Sequence, residues 1–318
     1  MNQTENSRAP FRSSFILHPS AFLQLVRLPN VFTAMADILL GFLLTHRRLD
    51  PWHQFALLLG ASSLLYMAGI ALNDYFDREQ DARERPFRPI PSGRVSAKTA
   101  RVLGFGMLGA GVVLGWIAAG VSQDLRAGIV ATLLAGAIVA YNGVLKQTPL
   151  GPLAMGACRT LNVLLGMSVS LGAWTAPFWV VAGGIGLYIA GVTIFARSEA
   201  RESGRLQLIS GMVVMLMGIA TVATTPAWAT GGEWPPFGVR GNWYVFWALF
   251  GMLIGYRCLR AVVEPRPELV QAAVKNCILS LIVMDAAACL AVQEIQWGIV
   301  ILLLLVPTMF LGRWIYST

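Results

Sequence analysis

The chain has 318 residues, of which 56% are apolar and only 13% are charged. Soluble proteins average about 25% charged residues, so this composition excludes an ordinary soluble fold and favours one helical membrane domain. The net charge of +8 does not indicate a nucleic-acid partner, because basic residues accumulate in the cytoplasmic loops of membrane proteins. The four cysteines form no CxxC pair, so we interpret them as small buried residues and not as a disulfide framework or a zinc site.

Residues 1–20 form a polar tail without the apolar segment of a secretory signal, and we expect this tail in the cytoplasm. Residues 21–318 would then form a single transmembrane domain. A membrane-spanning helix needs about 20 mostly apolar residues. Ten segments meet or approach that requirement: 28–46, 54–73, 99–121, 127–145, 150–172, 176–196, 206–226, 242–261, 270–291 and 296–314.

The distribution of basic residues supports this topology. With the N-terminus in the cytoplasm, ten helices place 19 of the 24 Lys and Arg residues in cytoplasmic loops and four in outside loops. Such an asymmetry is the usual signature of orientation in membrane proteins. We therefore expect an integral, multi-pass protein of the cell inner membrane that contacts membrane lipid. The sequence leaves the oligomeric state open.

The cytoplasmic end of the second segment carries an unusual acidic cluster. If the helix continues, Asn73, Asp74, Asp77 and Asp81 share one face, because residues three, four, seven and eight apart are neighbours on a helix. Three close carboxylates repel one another and oppose the helix dipole. A hard divalent cation such as Mg²⁺ would remove that conflict. The alternative is a solvated helix end whose carboxylates pair with nearby arginines.

A proline-rich loop follows this acidic helix end. Residues 83–94 contain three prolines and a glycine, so the helix cannot continue through them. The loop brings several arginines, Arg88 among them, beside the acidic face. Arginine guanidinium groups match the geometry of phosphate oxygens, which predicts a diphosphate clamp next to a metal site. The alternative is that these arginines only set the membrane topology.

Several of these motifs resemble those of the UbiA superfamily of intramembrane prenyltransferases. The runs 73–81 and 88–93 together resemble that family's first motif. The runs Tyr141–Lys146 and Cys158–Asn162 resemble its segments after the fourth helix and around a membrane arginine. Arg27–Asn30, before the first long segment, also fits. The resemblance covers roughly residues 21–292, and the first motif is the specific part of it.

The resemblance implies an all-α bundle of nine transmembrane helices around a central cavity, here with a tenth C-terminal span. It implies that Mg²⁺ holds a prenyl diphosphate donor, whose isoprenyl group passes to a lipophilic, often aromatic, acceptor. It assigns metal binding to Asp74, Asp77, Asp81 and Glu199, with Asn73 in a supporting catalytic role. The same resemblance assigns contacts with the diphosphate or its cavity to Arg88, Lys146, Arg159, Tyr141 and Glu202.

The second acidic motif of the family is altered in this sequence. Where the family shows Asp-x-x-x-Asp, the run 195–203 has Glu199 at the first acidic position and Ser203 four residues later. Glu202 adds a carboxylate one position out of register. This run resembles the EboC-type branch of the superfamily. The altered motif also leaves open the alternative that this chain is a UbiA-like protein that binds or transports a lipid or metabolite precursor without prenyl transfer.

Two further acidic residues, Asp37 and Asp285, lie inside predicted spans. Ionisable residues in lipid are costly and are often functional. The alternative is pairing between helices, for example of Asp37 with Arg159 or Asn162. An unrelated transporter is a third hypothesis, but the acidic cluster at one helix end disfavours it, since transport sites usually lie near the membrane midplane.

Overall fold

The computed structural model describes residues 19–170, 172–197, 204–228 and 240–314. Within these ranges the chain forms helices and no β-strand, which confirms the all-α prediction. The tail predicted for residues 1–20 lies almost wholly outside the described residues. Its boundary with the membrane domain therefore stays a prediction.

The helices follow one another in chain order and are joined by short connections. Two 3₁₀ turns, Leu145–Gln147 and Thr225–Trp228, lie between them. The α-helices of the described ranges are α1 Pro19–Leu25, α2 Leu28–Thr45, α3 Trp52–Phe76, α4 Arg78–Glu84, α5 Ala97–Ser122, α6 Arg126–Gly143, α7 Gly151–Met167, α8 Ala176–Ala196, α9 Arg205–Ala223, α10 Arg240–Val263, α11 Pro267–Cys289, α12 Ile295–Leu302 and α13 Leu305–Leu311.

Nine long helices form the core of the described bundle: α2, α3 and α5 to α11. Eight of them are long and apolar enough to cross a membrane. The ninth, α7, has 17 residues and carries the buried Arg159 at its centre. It packs against α2, α6 and α8, so its polar side chains face other helices. The predicted nine-helix core is confirmed.

The tenth apolar segment is broken into two short helices. Leu303 and Leu304 separate α12 from α13, and the two together cover the 17 residues Ile295–Leu311. At about 1.5 Å per residue they would span roughly 25 Å, less than the ~30 Å of a hydrocarbon core. Both short helices pack against α2. A full tenth crossing therefore stays a prediction.

The separation of the predicted segments 150–172 and 176–196 is confirmed. The helix α7 ends at Met167, and α8 begins at Ala176 with Pro177 in its first turn. Proline suits the first turn of a helix because the amide that it lacks would have no partner there. An uncharged stretch too long for one span is thereby divided into two helices.

Glycines bring α8 and α9 into close contact. A Cβ atom on Gly211 would lie 2.7 Å from the backbone nitrogen of Phe195 and 2.9 Å from the carbonyl oxygen of Gly191. We expect Gly211→Ala to lower the free energy of unfolding by about 1–3 kcal/mol, the usual cost of overpacking. Gly136→Ala is the control, because nothing lies within 4 Å of its Cβ position. Unfolding in mixed micelles measures both, and equal stability would contradict the prediction.

Candidate functional site

The acidic cluster lies on an almost continuous helix. Although α3 ends at Phe76 and α4 begins at Arg78, Asp77 joins them with helical dihedrals of φ −83° and ψ 0°. The backbone amide of Asp77 donates to the Asn73 carbonyl at 2.9 Å, and that of Asp81 donates to the Asp77 carbonyl at 2.8 Å. The shared face predicted for these residues is thereby present.

Arg88 joins the two ends of the acidic face. Its Nη1 atom donates to Oδ2 of Asp81 at 2.6 Å and lies 3.4 Å from Oδ1 of Asp74. Arg27 donates to the same Asp74 oxygen at 3.2 Å. Asp74, Asp81 and Arg88 are buried, with exposed fractions of 3%, 2% and 6%. Removing one partner from such a buried group is expensive, about 3–5 kcal/mol, because the remaining charge loses its compensation.

The third carboxylate of the cluster, Asp77, pairs with Lys146. Lys146 lies in the 3₁₀ turn Leu145–Gln147, which follows α6 directly. Burial lowers the pKa of the Lys146 amine, and the neighbouring Asp77 carboxylate opposes this shift. The resemblance placed Lys146 at the site, and the structure brings it there by packing the end of α6 beside the end of α3.

Asn73 connects α3 to α6 rather than facing an acidic partner. Its Nδ2 atom donates to Oδ1 of Asn142 at 3.0 Å. The Asn142 amide donates in turn to the carbonyl oxygens of Gly69 and Ile138, both at 3.1 Å. This chain of amides fixes the spacing of the two helix ends that carry Asp77 and Lys146.

A cavity of about 500 Å³ opens beside the acidic face. Arg94 is held at its edge by Oε1 of Gln24 at 2.5 Å and by the Phe87 carbonyl oxygen at 2.6 Å. Three guanidinium groups and one carboxylate border the cavity, which favours an anion with several oxygens. The lining residues are Gln24, Arg27, Asp74, Phe87, Arg88, Pro89 and Arg94.

The donor chemistry of the cluster fits Mg²⁺. Among the described residues, no group of three or more His, Cys, Asp or Glu side chains converges on one point. Each motif carboxylate faces a basic side chain instead. Asp74 and Asp81 nevertheless direct one oxygen each to the same guanidinium of Arg88, so both face one cationic position. Carboxylate oxygens are the ligands that Mg²⁺ prefers. Metal binding by Asp74, Asp77 and Asp81 stays a prediction.

The remaining predicted site residues lie apart from this cavity or outside the described ranges. Tyr141 is buried on α6, next to Asn142 in the chain. Arg159 does not line the cavity; it lies inside the bundle, on α7. Glu199 and Glu202 fall in 198–203, which the structure does not describe. Their predicted roles stay predictions.

A second polar cluster lies between α2 and α7. Nη1 of Arg159 donates to Oδ2 of Asp37 at 2.7 Å, and Nη2 donates to Thr33 at 2.7 Å. Asn162 donates to the same Asp37 oxygen at 2.8 Å. The pairing of Asp37 between helices, one of the two predicted alternatives, is therefore present. Asp285 is fully buried beside Asp37, and neither of its carboxylate oxygens accepts a hydrogen bond from a donor in the described structure.

The site contains residues that the sequence analysis did not select. Arg27 occupies the turn between α1 and α2 with φ 44° and ψ 54°, a left-handed conformation that is uncommon for a residue with a side chain. That turn directs its guanidinium to Asp74, 47 residues away. Asn142 carries the link to Asn73. The run 27–30 in the resemblance was the available signal for Arg27.

Curated relatives of this chain are digeranylgeranylglyceryl phosphate synthases. The protein from Metallosphaera sedula is 33% identical over 162 residues, which cover 50% of this chain and 55% of the relative. The protein from Ignicoccus hospitalis is 36% identical over 184 residues, 57% of this chain and 56% of the relative. The matches thus span about half the length of these relatives.

Solved structures share the fold over most of the chain. A UbiA homologue from Archaeoglobus fulgidus bound to GPP and Mg²⁺ has a TM-score of 0.62 at 11% identity, covering 89% of this chain and 99% of that one. A digeranylgeranylglyceryl phosphate synthase structure has a TM-score of 0.60 at 20% identity, covering 85% of this chain and 97% of that one. Residues 34–278 match the UbiA prenyltransferase family. The chain, a multi-pass helical membrane protein, therefore belongs to the UbiA prenyltransferase family.

Proposed function

We propose that this protein transfers an isoprenyl group from a prenyl diphosphate to a lipophilic acceptor in the membrane. The observation that carries the proposal is the cavity bordered by three guanidinium groups beside the acidic helix end. Its volume of about 500 Å³ falls in the range of small-molecule sites. Its positive border suits a diphosphate, and the isoprenyl chain would extend from the cavity between the apolar helices of the bundle.

The reaction breaks the bond between C1 of the isoprenyl group and the diphosphate oxygen, and the diphosphate leaves with the electron pair. The acceptor supplies the electron pair of the new bond to C1 and releases a proton to water. The three cavity arginines would stabilise the charge that develops on the leaving diphosphate. Bound Mg²⁺, held by Asp74, Asp77 and Asp81, would supply further stabilisation of that charge.

The other predicted residues take supporting roles in this proposal. Asn73 fixes the acidic helix end against α6 through Asn142. Lys146 holds Asp77 until the substrate and metal bind. Tyr141, buried on α6 outside the cavity lining, would contact the part of the isoprenyl chain that extends beyond the cavity. Glu199 and Glu202 would form a weaker second metal site.

The relatives favour a glycerophosphate lipid as the acceptor over an aromatic ring. Those relatives are named for a product that is a prenylated glyceryl phosphate. A free hydroxyl oxygen of such a lipid would be the nucleophile. Assignment to the EboC-type branch rests on the sequence of residues 195–203 alone. Transfer assays that offer a glycerophosphate lipid and an aromatic acceptor side by side would identify the acceptor class.

Mg²⁺-dependent binding of prenyl diphosphates to the detergent-purified protein tests this proposal without a known acceptor. We expect Asp74→Asn and Asp77→Asn to weaken that binding at least about tenfold, the smallest loss usual when even an outer partner of a metal site is removed. Asp124→Asn is the control, since Asp124 pairs with Arg126 at the start of α6, at the opposite end of the bundle. Absence of binding at every chain length would refute the proposal.

A UbiA-like binder or transporter without transfer activity is the second candidate. The altered second motif, with Ser203 in place of an acidic residue, favours it. So does the pairing of every carboxylate of the first motif with a basic side chain. Mg²⁺-dependent donor binding without turnover, across both acceptor classes, would select this candidate over the enzyme.

A further inference from the structure

A second cavity, of about 210 Å³, lies at the same end of the bundle. Both cavities border the start of α2: the first is lined by Arg27, directly before α2, and the second by Asn30, in the first turn of α2. The other walls of the second cavity come from α11 and from the end of α13. The helix α13, which follows the break in the tenth segment, packs against α2 beside this cavity.

Two basic side chains, Lys275 of α11 and Arg313 just after α13, line this cavity. Both are exposed, and none of the described residues that line the cavity is acidic. The described ion pairs elsewhere in the protein do not involve either of them. The cavity is therefore positively charged without an internal counter-ion among the described residues.

The two charged lining residues and the aliphatic ones on α11 and α13 lie at different depths. Ile278 and Leu279 lie one helical turn beyond Lys275 along α11, farther from the end of the bundle. Met309 lies one turn before Arg313 and takes the corresponding place on α13. A ligand in this cavity would contact cations with its outer part and hydrocarbon with its inner part. A soluble phosphate would leave the apolar part unused.

We infer that this cavity binds one anionic phospholipid, with its phosphate between Lys275 and Arg313 and the first carbons of its chains on Ile278, Leu279 and Met309. The volume of about 210 Å³ equals roughly seven waters, which accommodates a phosphate and glycerol but not whole chains. The chains would continue into the bilayer. The positive-inside distribution puts this end in the cytoplasm, where anionic lipids lie and where basic pockets between transmembrane helices bind their head groups.

This inference does not depend on prenyl transfer, and native mass spectrometry of the full-length protein with phosphatidylglycerol tests it. We expect the double variant Lys275→Gln/Arg313→Gln to bind this lipid roughly thirtyfold more weakly, the effect of two cations near an anionic head group. The matched control is Lys98→Gln/Arg101→Gln, an exposed Lys and Arg at the start of α5, also at this end of the bundle. The control should retain the lipid within threefold of the unmodified protein.

Three outcomes would overturn the inference. Equal loss in both double variants would mean that surface charge alone attracts the lipid. Equal retention of zwitterionic phosphatidylcholine would mean that the phosphate is not recognised through charge. Displacement of the lipid by an equal concentration of glycerol 3-phosphate would identify a soluble phosphate as the ligand. Because the replaced side chains are exposed, both double variants should keep the thermal stability of the unmodified protein, which a melting curve checks.

Discussion

Replacing Arg88 by glutamine should lower the rate of isoprenyl transfer about 10²–10³-fold, the usual effect of removing one group that stabilises developing negative charge. Arg88 borders the cavity and also contacts Asp74 and Asp81, at 3.4 and 2.6 Å. The substitution therefore removes a predicted contact with the diphosphate and releases two predicted metal ligands. Single-turnover transfer from a prenyl diphosphate at saturating donor measures the effect.

Two further variants separate this role from a purely structural one. Arg88→Lys keeps the charge but lacks the planar fork that binds phosphate oxygens in pairs, so it should recover only part of the rate. Arg101→Gln removes an exposed arginine at the same end of the bundle and should leave the rate unchanged. A rate for Arg88→Gln within threefold of the unmodified protein, with donor affinity intact, would contradict the proposed role. Melting curves in detergent show whether each variant is folded.

Arg159→Met should lower the free energy of unfolding by about 3–5 kcal/mol, because it leaves the fully buried Asp37 carboxylate without its cation. Asp285→Asn should leave the free energy of unfolding unchanged or raise it. Asp285 lies beside the Asp37 carboxylate, and two neighbouring carboxylates disfavour each other's charge, whereas an amide at this position is uncharged and can donate to Asp37. Reversible unfolding in mixed micelles measures both changes. Comparable losses for the two variants would contradict this account of the cluster.

The double variant Arg159→Met/Asp37→Leu tests the origin of that loss. Replacing both members of a buried ion pair by apolar side chains is often neutral, so the double variant should recover much of the stability lost in Arg159→Met. Leucine branches at the same carbon as aspartate and has the same number of side-chain heavy atoms. Failure to recover would show that the hydrogen bonds of this pair, donated by Arg159 to Thr33 and by Asn162 to Asp37, matter more than its charges. Unchanged donor binding would show that the cluster acts on stability and not on the site.

The sequence by itself determined the class of fold and the acidic face of the candidate site. A transmembrane span of about 20 apolar residues can be predicted without knowing which helices it packs against, because the thickness of the bilayer sets its length. The acidic face was predictable because helix periodicity is local: no glycine or proline lies between Asn73 and Asp81, and the backbone hydrogen bonds continue through Asp77. The break before Pro177 was predictable for the same reason. The break in the tenth segment was not predicted, although its signal is present: Pro307 has no amide to donate to the carbonyl of Leu303, four residues earlier, and its ring crowds that carbonyl.

Only the tertiary structure decided which charges meet. Arg27 reaches Asp74 across 47 residues, Lys146 reaches Asp77 across 69, and Arg159 reaches Asp37 across 122. These pairings depend on which helix ends lie side by side, and helix packing in lipid is set by many small contacts that no single motif encodes. The family resemblance assigned Arg159 to the diphosphate site because it compares motifs along the chain and not their positions in the bundle. In the structure Arg159 lies on α7 and pairs with Asp37 of α2. Local periodicity fixes the face on which a side chain lies, whereas its partner is fixed by the packing of distant helices.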